Sequence, residues 1–339
     1  MSKKSCNRVC YVATLYTLLL YLLYSTEEEV NNTFFVLDET FPAGFEKRLK
    51  YAYKFRKVSH GRFSILINWL YYHFICFTKL PHIKKTTQLF VQDHKYAAKV
   101  LTWSHNYALI EDSAGVASRY FSGYYGKQMV NNRHNWKYCI FKLFYGPLYC
   151  YDFGCSKQCT KLLLTQDDKC PELVNKERII LPQINNDLWN SFTESKKKMI
   201  LSIFDLQSDD VDVLTKRKYL LLTDPVWPDD APYEEHDRVF HEVIKRYPVD
   251  ELIIKTHPRD VNYPYETEFP GIPVFRKSIP MEMFKLLGVQ FKTIITLFST
   301  AVNQFTDVNV EWYGTEVSPY CMRLYGHIDA PSNAIVVKL

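Results

Sequence analysis

The stretch that most constrains the fold is Leu-Ile-Ile-Lys-Thr-His-Pro-Arg-Asp at residues 252–260. Its apolar run follows Asp250 and gives way abruptly to polar residues and a proline. A run of that length without period-two alternation reads as a strand buried on both faces, as in a parallel sheet. Lys255, His257, Arg259 and Asp260 then fall at the strand's carboxyl end, where ligands bind in open α/β sheets. Pro258 keeps His257 out of helical geometry. An imidazole held between two cations at the mouth of a sheet is suited to receive a phosphate.

The surrounding chain repeats the pattern. Apolar strands are expected at 218–223, 251–256, 274–276, 293–297 and 308–312, the last of them closing the sheet. Helices are expected at 234–246, through Val239, Phe240, Val243 and Ile244, and at 279–287, with Pro280 in its first turn. Strand and helix alternate, so the class is α/β with a parallel sheet.

The first half is less regular. Val9 to Tyr24 is an apolar run preceded by Lys3, Lys4 and Arg8, which imitates a signal peptide or anchor. It is short of the roughly twenty residues a spanning helix needs, contains Thr14 and Thr17, and is not followed by a small-residue cleavage site. The next strand, at 34–37, comes at βαβ spacing. The favoured reading is therefore a strand at 8–13, a turn at Thr14 and a buried helix to about Tyr24, with Thr14 facing a ligand cleft. Residues 43–58 are basic and aromatic together, which fits a solvated helix face or, alternatively, contact with an anionic membrane or an acidic acceptor. A helix is expected at 61–78, rich enough in Trp and Tyr to be core or membrane-interfacial. A strand at 89–92 and a helix from Tyr96 follow. A strand from Ala108 then runs into Glu111 and Asp112, two adjacent carboxylates of which one can cap and the other act as a base. Residues 119–175 read as loops and helices, and 178–181 as a last strand.

At 339 residues the chain has room for two domains. The expected division is 1–190, a helical connection at 191–215, and 216–339, whose end could pack back on the first domain. The net charge of +5 suits anionic substrates or a membrane surface and is too weak for nucleic acid. The nine cysteines are scattered without CxxC spacing and read as thiols in a reducing cytoplasm, not as a metal or disulfide cluster.

Three element ends in the second half carry polar groups of one kind. His257 can donate to a phosphate. Ser299 and Thr300 offer hydroxyls and backbone N–H groups at an expected helix N-terminus. Glu282, in the first turn of its helix, can accept from ribose hydroxyls.

The order Glu111-Asp112, Lys255-Thr-His257-Pro258, Ser299-Thr300 resembles the bacterial sialyltransferases. Tyr11-Val-Ala-Thr14-Leu-Tyr-Thr-Leu-Leu and the overall length most resemble glycosyltransferase family 52, which holds lipooligosaccharide and capsule sialyltransferases. The resemblance implies a GT-B architecture of two Rossmann-like domains facing across a cleft. It implies CMP-sialic acid as donor and a galactose-terminated glycan as acceptor, with inversion and with neither metal nor cofactor. By the same resemblance His257 is the general acid for the departing phosphate, and Lys255 and Pro258 line the cytidine side. Glu282 takes the ribose, Ser299 and Thr300 bind the phosphate, and the acidic pair supplies the base. The family's glycine after that pair is Ser113 here, with glycine delayed to Gly115, so Asp229 and Asp230 stand as alternative bases. No Asp-x-Asp motif for a divalent ion is present. The expected setting is cytoplasmic, with peripheral contact at the membrane and a homodimer both left open. The rival readings are a GT-B transferase using another nucleotide sugar and a membrane-anchored binding protein without catalysis.

Overall fold

The computed structural model describes residues 6–56, 58, 64–103, 105–112, 136–145, 154–166, 176–224, 232–257, 260, 263–275, 278–299, 301–302, 305 and 307–339. The chain forms two units, one from residues 1–183 and 192–203, the other from 184–191 and 204–339.

The first unit is built on seven strands, β1 (Arg8–Val12), β2 (Thr33–Leu37), β3 (Ala52–Lys54), β4 (Gln88–Val91), β5 (Tyr107–Ile110), β6 (Cys159–Leu164) and β7 (Glu177–Ile180). They pair in parallel in the order β3-β2-β1-β4-β5-β6-β7. β1 lies inside the sheet, with all five residues buried, between β2 and β4. The helix Leu15–Tyr24 follows it directly, capped by the Thr14 side chain, which accepts from the Thr17 N–H at 3.1 Å. The strand-turn-helix reading of the N-terminus is what the chain adopts. No helix among the described residues is long and apolar enough to cross a membrane.

Two expectations in this unit need correction. Residues 43–58 are not a helix face: they form a short 3-10 turn, Phe45–Arg48, and the strand β3. β3 has three half-buried residues at the sheet edge, too short to show a period. Residues 119–175 hold a strand, β6, as well as the helix Trp136–Tyr145. Its first half carries Thr160 and Lys161, which mask the buried Leu162–Leu164. A short helix, Glu27–Asn31, stands before β2, with a capping box between Thr26 and Glu29.

The second unit carries β8 (Tyr219–Leu222), β9 (Leu252–Lys255), β10 (Val274–Phe275), β11 (Thr293–Thr296), β12 (Asn309–Trp312) and β13 (Ala334–Val336). All are parallel, in the order β10-β9-β8-β11-β12-β13. β12 is therefore not the last strand. β13 was illegible because its three residues are mostly exposed at an edge. The helices Tyr233–Ile244 and Glu282–Leu286 lie where expected.

Both sheets share one permutation: the first strand is central, the next two step to one side, and the rest step to the other. The direction of winding reverses between β1 and β4 and between β8 and β11. At such a reversal the helices leave on opposite faces, and the carboxyl ends of the two strands open a crevice for ligand.

Candidate active site

In the second unit the relevant crevice lies at the ends of β8, β9 and β11. Leu222 of β8 is paired with Lys255 of β9 on one side and with Thr296 of β11 on the other. His257 and Ser299 thus extend two and three residues past the same level and flank the end of β8. Two strand spacings put their backbones about 10 Å apart. Hydrogen bonds hold both turns. The His257 N–H donates to Thr223 Oγ1 at 2.9 Å, and the Ser299 N–H donates to Thr296 Oγ1 at 2.9 Å. The Ser299 hydroxyl accepts weakly from the Ala301 N–H at 3.4 Å. His257 and Ser299 are half-buried, so each is accessible from the rim. Pro258, Thr300, Asp229 and Asp230 lie outside the described residues.

Lys255 is buried, with its ammonium 6.0 Å from the centre of the Phe275 ring. Burial pushes its pKa down to about 8. Glu282 is the first residue of its helix and is buried.

The end of β8 itself carries a group that the sequence reading passed over. Asp224 is buried, and its Oδ1 accepts from the Phe298 N–H at 3.3 Å. Its Oδ2 has no protein partner among the described residues. Burial raises its pKa well above the usual carboxylate range; the Phe298 hydrogen bond opposes this and the charge of Asp260 adds to it. The sequence signal was an acid at a strand end, but nothing local distinguishes such an acid from a cap.

In the first unit the corresponding ends belong to β1, β4 and β5. The Ala13 N–H donates to Gln92 Oε1 at 2.8 Å, tying β1 to β4 across the reversal. Gln92 is fully buried, and its Nε2 has no protein acceptor among the described residues. Thr14 is half-buried, its hydroxyl engaged with Thr17. The acidic pair divides its labour. Glu111 is fully buried and accepts from the Tyr16 hydroxyl at 2.8 Å, the Thr165 N–H at 3.0 Å and the Thr165 hydroxyl. It binds β5 to its neighbours. Asp112 stays partly exposed, and its carboxylate lies 3.2 Å from His94 Nε2. Burial acts to raise the Asp112 pKa, but the His94 hydrogen bond and charge, with Lys95, outweigh it and hold the pKa below the usual range.

Two other features of the second unit lie off these ends. A cavity of about 670 Å³ opens at the ends of β12 and β13 between Arg238, Glu242, Trp312, Glu316, His327 and Lys338. His257 and Ser299 are not among its walls. Among the described residues, Asp237, His241 and Glu268 could hold a cation, their ligand atoms lying within 4.8 Å of one another. These carboxylates already accept from Tyr263 at 2.6 Å and Tyr233 at 2.8 Å.

The sequence profile of glycosyltransferase family 52 matches residues 47–320. The chain belongs to glycosyltransferase family 52. The family match contains every residue named above at the strand ends except Ala13, Thr14, Tyr16 and Thr17, and leaves out His327 and Lys338 of the cavity. A relative of the family 52 chain, an uncharacterized protein of Haemophilus influenzae, is 30% identical over 180 residues, 52% of this chain. That match spans little more than half of the relative's length, 57%.

Among solved structures, the family 52 chain is similar to a sialyltransferase from Photobacterium damsela. The TM-score is 0.56 at 13% identity, covering 97% of this chain and 81% of that one. It is similar also to the α/β-galactoside α-2,3-sialyltransferase of Photobacterium phosphoreum, with TM-score 0.52, 11% identity and coverage of 97% and 98%. A third is a 2,6-sialyltransferase of a Vibrionaceae Photobacterium, solved with the donor product CMP and the acceptor lactose. Its TM-score is 0.54 at 13% identity, covering 90% of this chain and 71% of that one. At these identities the likeness establishes the fold, which is GT-B, two Rossmann-like units in one chain.

Proposed function

We propose that this family 52 glycosyltransferase is a sialyltransferase. It moves sialic acid from CMP-sialic acid to a hydroxyl of a terminal galactose on a bacterial surface glycan, lipooligosaccharide or capsule, with inversion and without a metal. The observation that carries the reading is the placement of His257 and Ser299 on either side of the end of β8, at the reversal of one sheet. Family membership and the resemblance in fold to sialyltransferases support it.

In this mechanism His257 gives a proton to the departing CMP phosphate, a step for which a positioned acid contributes about 10²–10⁴-fold. Ser299 and Thr300 donate to the same phosphate, and fixed donors there need no reorganisation as charge develops. Lys255 and Pro258 line the cytidine side, and Glu282 accepts from the ribose. Asp112 takes the proton of the acceptor hydroxyl as the anomeric centre becomes cationic, with Thr14 on the acceptor side. Glu111 holds the strand end that presents Asp112. Asp229 and Asp230 are the alternative bases.

The second reading is a GT-B transferase using another nucleotide sugar. The purified chain is to be offered CMP-sialic acid and a set of UDP-sugars, each with a panel of galactosides. Transfer from CMP-sialic acid alone supports the proposal. Turnover of only a UDP-sugar overturns it.

A further inference from the structure

Residues 47–92 contain ten Lys and Arg and no Asp or Glu, and residues 113–151 contain five and none. These two stretches hold 15 of the chain's 42 Lys and Arg and none of its 37 acids, which leaves the remainder net acidic. Positive charge is therefore concentrated in part of the first unit, and the net charge of +5 conceals this.

The same two stretches carry most of the exposed large apolar side chains of that unit, Tyr96 and Ile180 being the others among the described residues. On the helix Ser64–Thr78 they are Leu66, Ile67, Leu70, Phe74 and Phe77, of which Phe74 is 61% and Phe77 80% exposed. At about 100° per residue these five fall within an arc of about 100°, a single face. The opposite side of the helix packs inward: Ile75 is buried, and Tyr71, Tyr72 and Cys76 join the core. On the helix Trp136–Tyr145, Trp136 (68%), Ile140 and Leu143 (76%) recur at i, i+4 and i+7. The two helices meet where Trp69 packs edge-on against Phe144, centroids 5.3 Å apart, and the Trp69 Nε1–H donates to the Phe144 carbonyl. In the same two stretches Lys47, Arg48, Lys50, Arg56, Lys79, Lys84, Lys85 and Lys142 are exposed.

We infer that this face docks the protein on an anionic lipid bilayer, with the Phe74 and Phe77 rings and the aliphatic side chains entering the headgroup boundary and the lysines meeting lipid phosphates. An exposed apolar stripe carried by a stretch rich in exposed cations and free of acids is the pattern of a helix lying in a membrane interface. A second copy of this chain on the same face would set like charges against one another. The inference does not depend on which sugar is transferred.

The test is co-sedimentation of the full chain with vesicles of phosphatidylglycerol and phosphatidylcholine, and with phosphatidylcholine alone. Two variants accompany the wild type, F74D/F77D and K84E/K85E, each checked by thermal melting and by light scattering for oligomeric state. The wild type is expected to bind phosphatidylglycerol vesicles at least 10-fold more tightly than neutral ones, with the difference falling in high salt. Both variants are expected to lose at least 10-fold in affinity while melting within a few degrees of the wild type. Should F74D/F77D fail to fold, F77S decides in its place, since that ring is almost wholly outside the packing. Absence of vesicle binding overturns the inference, as do variants that bind like the wild type. Conversion of an oligomer to a monomer with vesicle binding unchanged overturns it too, and assigns the face to a second copy of the chain.

Discussion

Asp112 lies with its carboxylate 3.2 Å from His94 Nε2, across the ends of two neighbouring strands, β4 and β5. The adjacent carboxylate, Glu111, is sealed into the sheet. One acid of the pair is therefore kept ionised and accessible while the other holds the backbone.

Asp112→Asn is expected to lower kcat for transfer by about 10²-fold or more, the loss of a general base, and to lower the melting temperature slightly through loss of the partly exposed His94 pair. Because His94 depresses the Asp112 pKa, this pair's contribution to stability is present above the ordinary carboxylate range and is lost as pH falls through the native pKa. His94→Ala is expected to move the acid limb of the rate profile to higher pH. An unmoved limb would mean that another group titrates there.

Where Asp112 contributes stability, Lys255 costs it. Its pKa is pushed down to about 8 by burial, so between about 8 and its ordinary value the unfolded chain binds the extra proton. Stability rises with pH across that window, and the penalty is fully present below it. Lys255→Met is expected to stabilise the unliganded protein near pH 7, by up to about 3 kcal/mol, in denaturant melts. It is also expected to weaken CMP binding. Binding of CMP near pH 9 should take up protons, seen by calorimetry in buffers of different ionisation enthalpy, and this uptake should vanish in the variant.

Asp224, whose pKa burial raises, loses stability as pH climbs from the unfolded carboxylate range toward its native pKa, because the unfolded chain ionises first. Asp224→Asn keeps the acceptor for the Phe298 N–H and removes the titration. Relative to the wild type, this variant is expected to gain stability on going from pH 4 to pH 7, measured by urea unfolding at both values.

Deleting residues 1–24 removes β1, which pairs with β2 on one side and β4 on the other. The truncated chain is expected to be insoluble or to lack cooperative unfolding. A soluble protein with a sharp transition would restore the anchor reading of the N-terminus.

The strands legible in the sequence are those buried on both faces, such as β1, β5, β9 and β11, where every position is buried and most are apolar. β3 and β13 escaped because edge strands of three residues obey no burial period, and β6 because Thr160 and Lys161 open it. The positions of His257, Ser299 and Asp112 at strand ends could be read from the points where apolar runs stop. The separate roles of Glu111 and Asp112 could not, because they are assigned by Tyr16, Thr165 and His94, none adjacent in sequence. Gln92 and Asp224 stayed hidden for the same reason: a buried polar atom without a partner exists only once the sheet is assembled.

The account rests on one phosphate shared by the ends of β8, β9 and β11. Calorimetric titration of CMP and of cytidine into the wild type, His257→Ala and Ser299→Ala tests it most directly. The prediction is that each variant loses at least 10-fold in CMP affinity while cytidine binds as before. CMP affinity unchanged in both variants would contradict it.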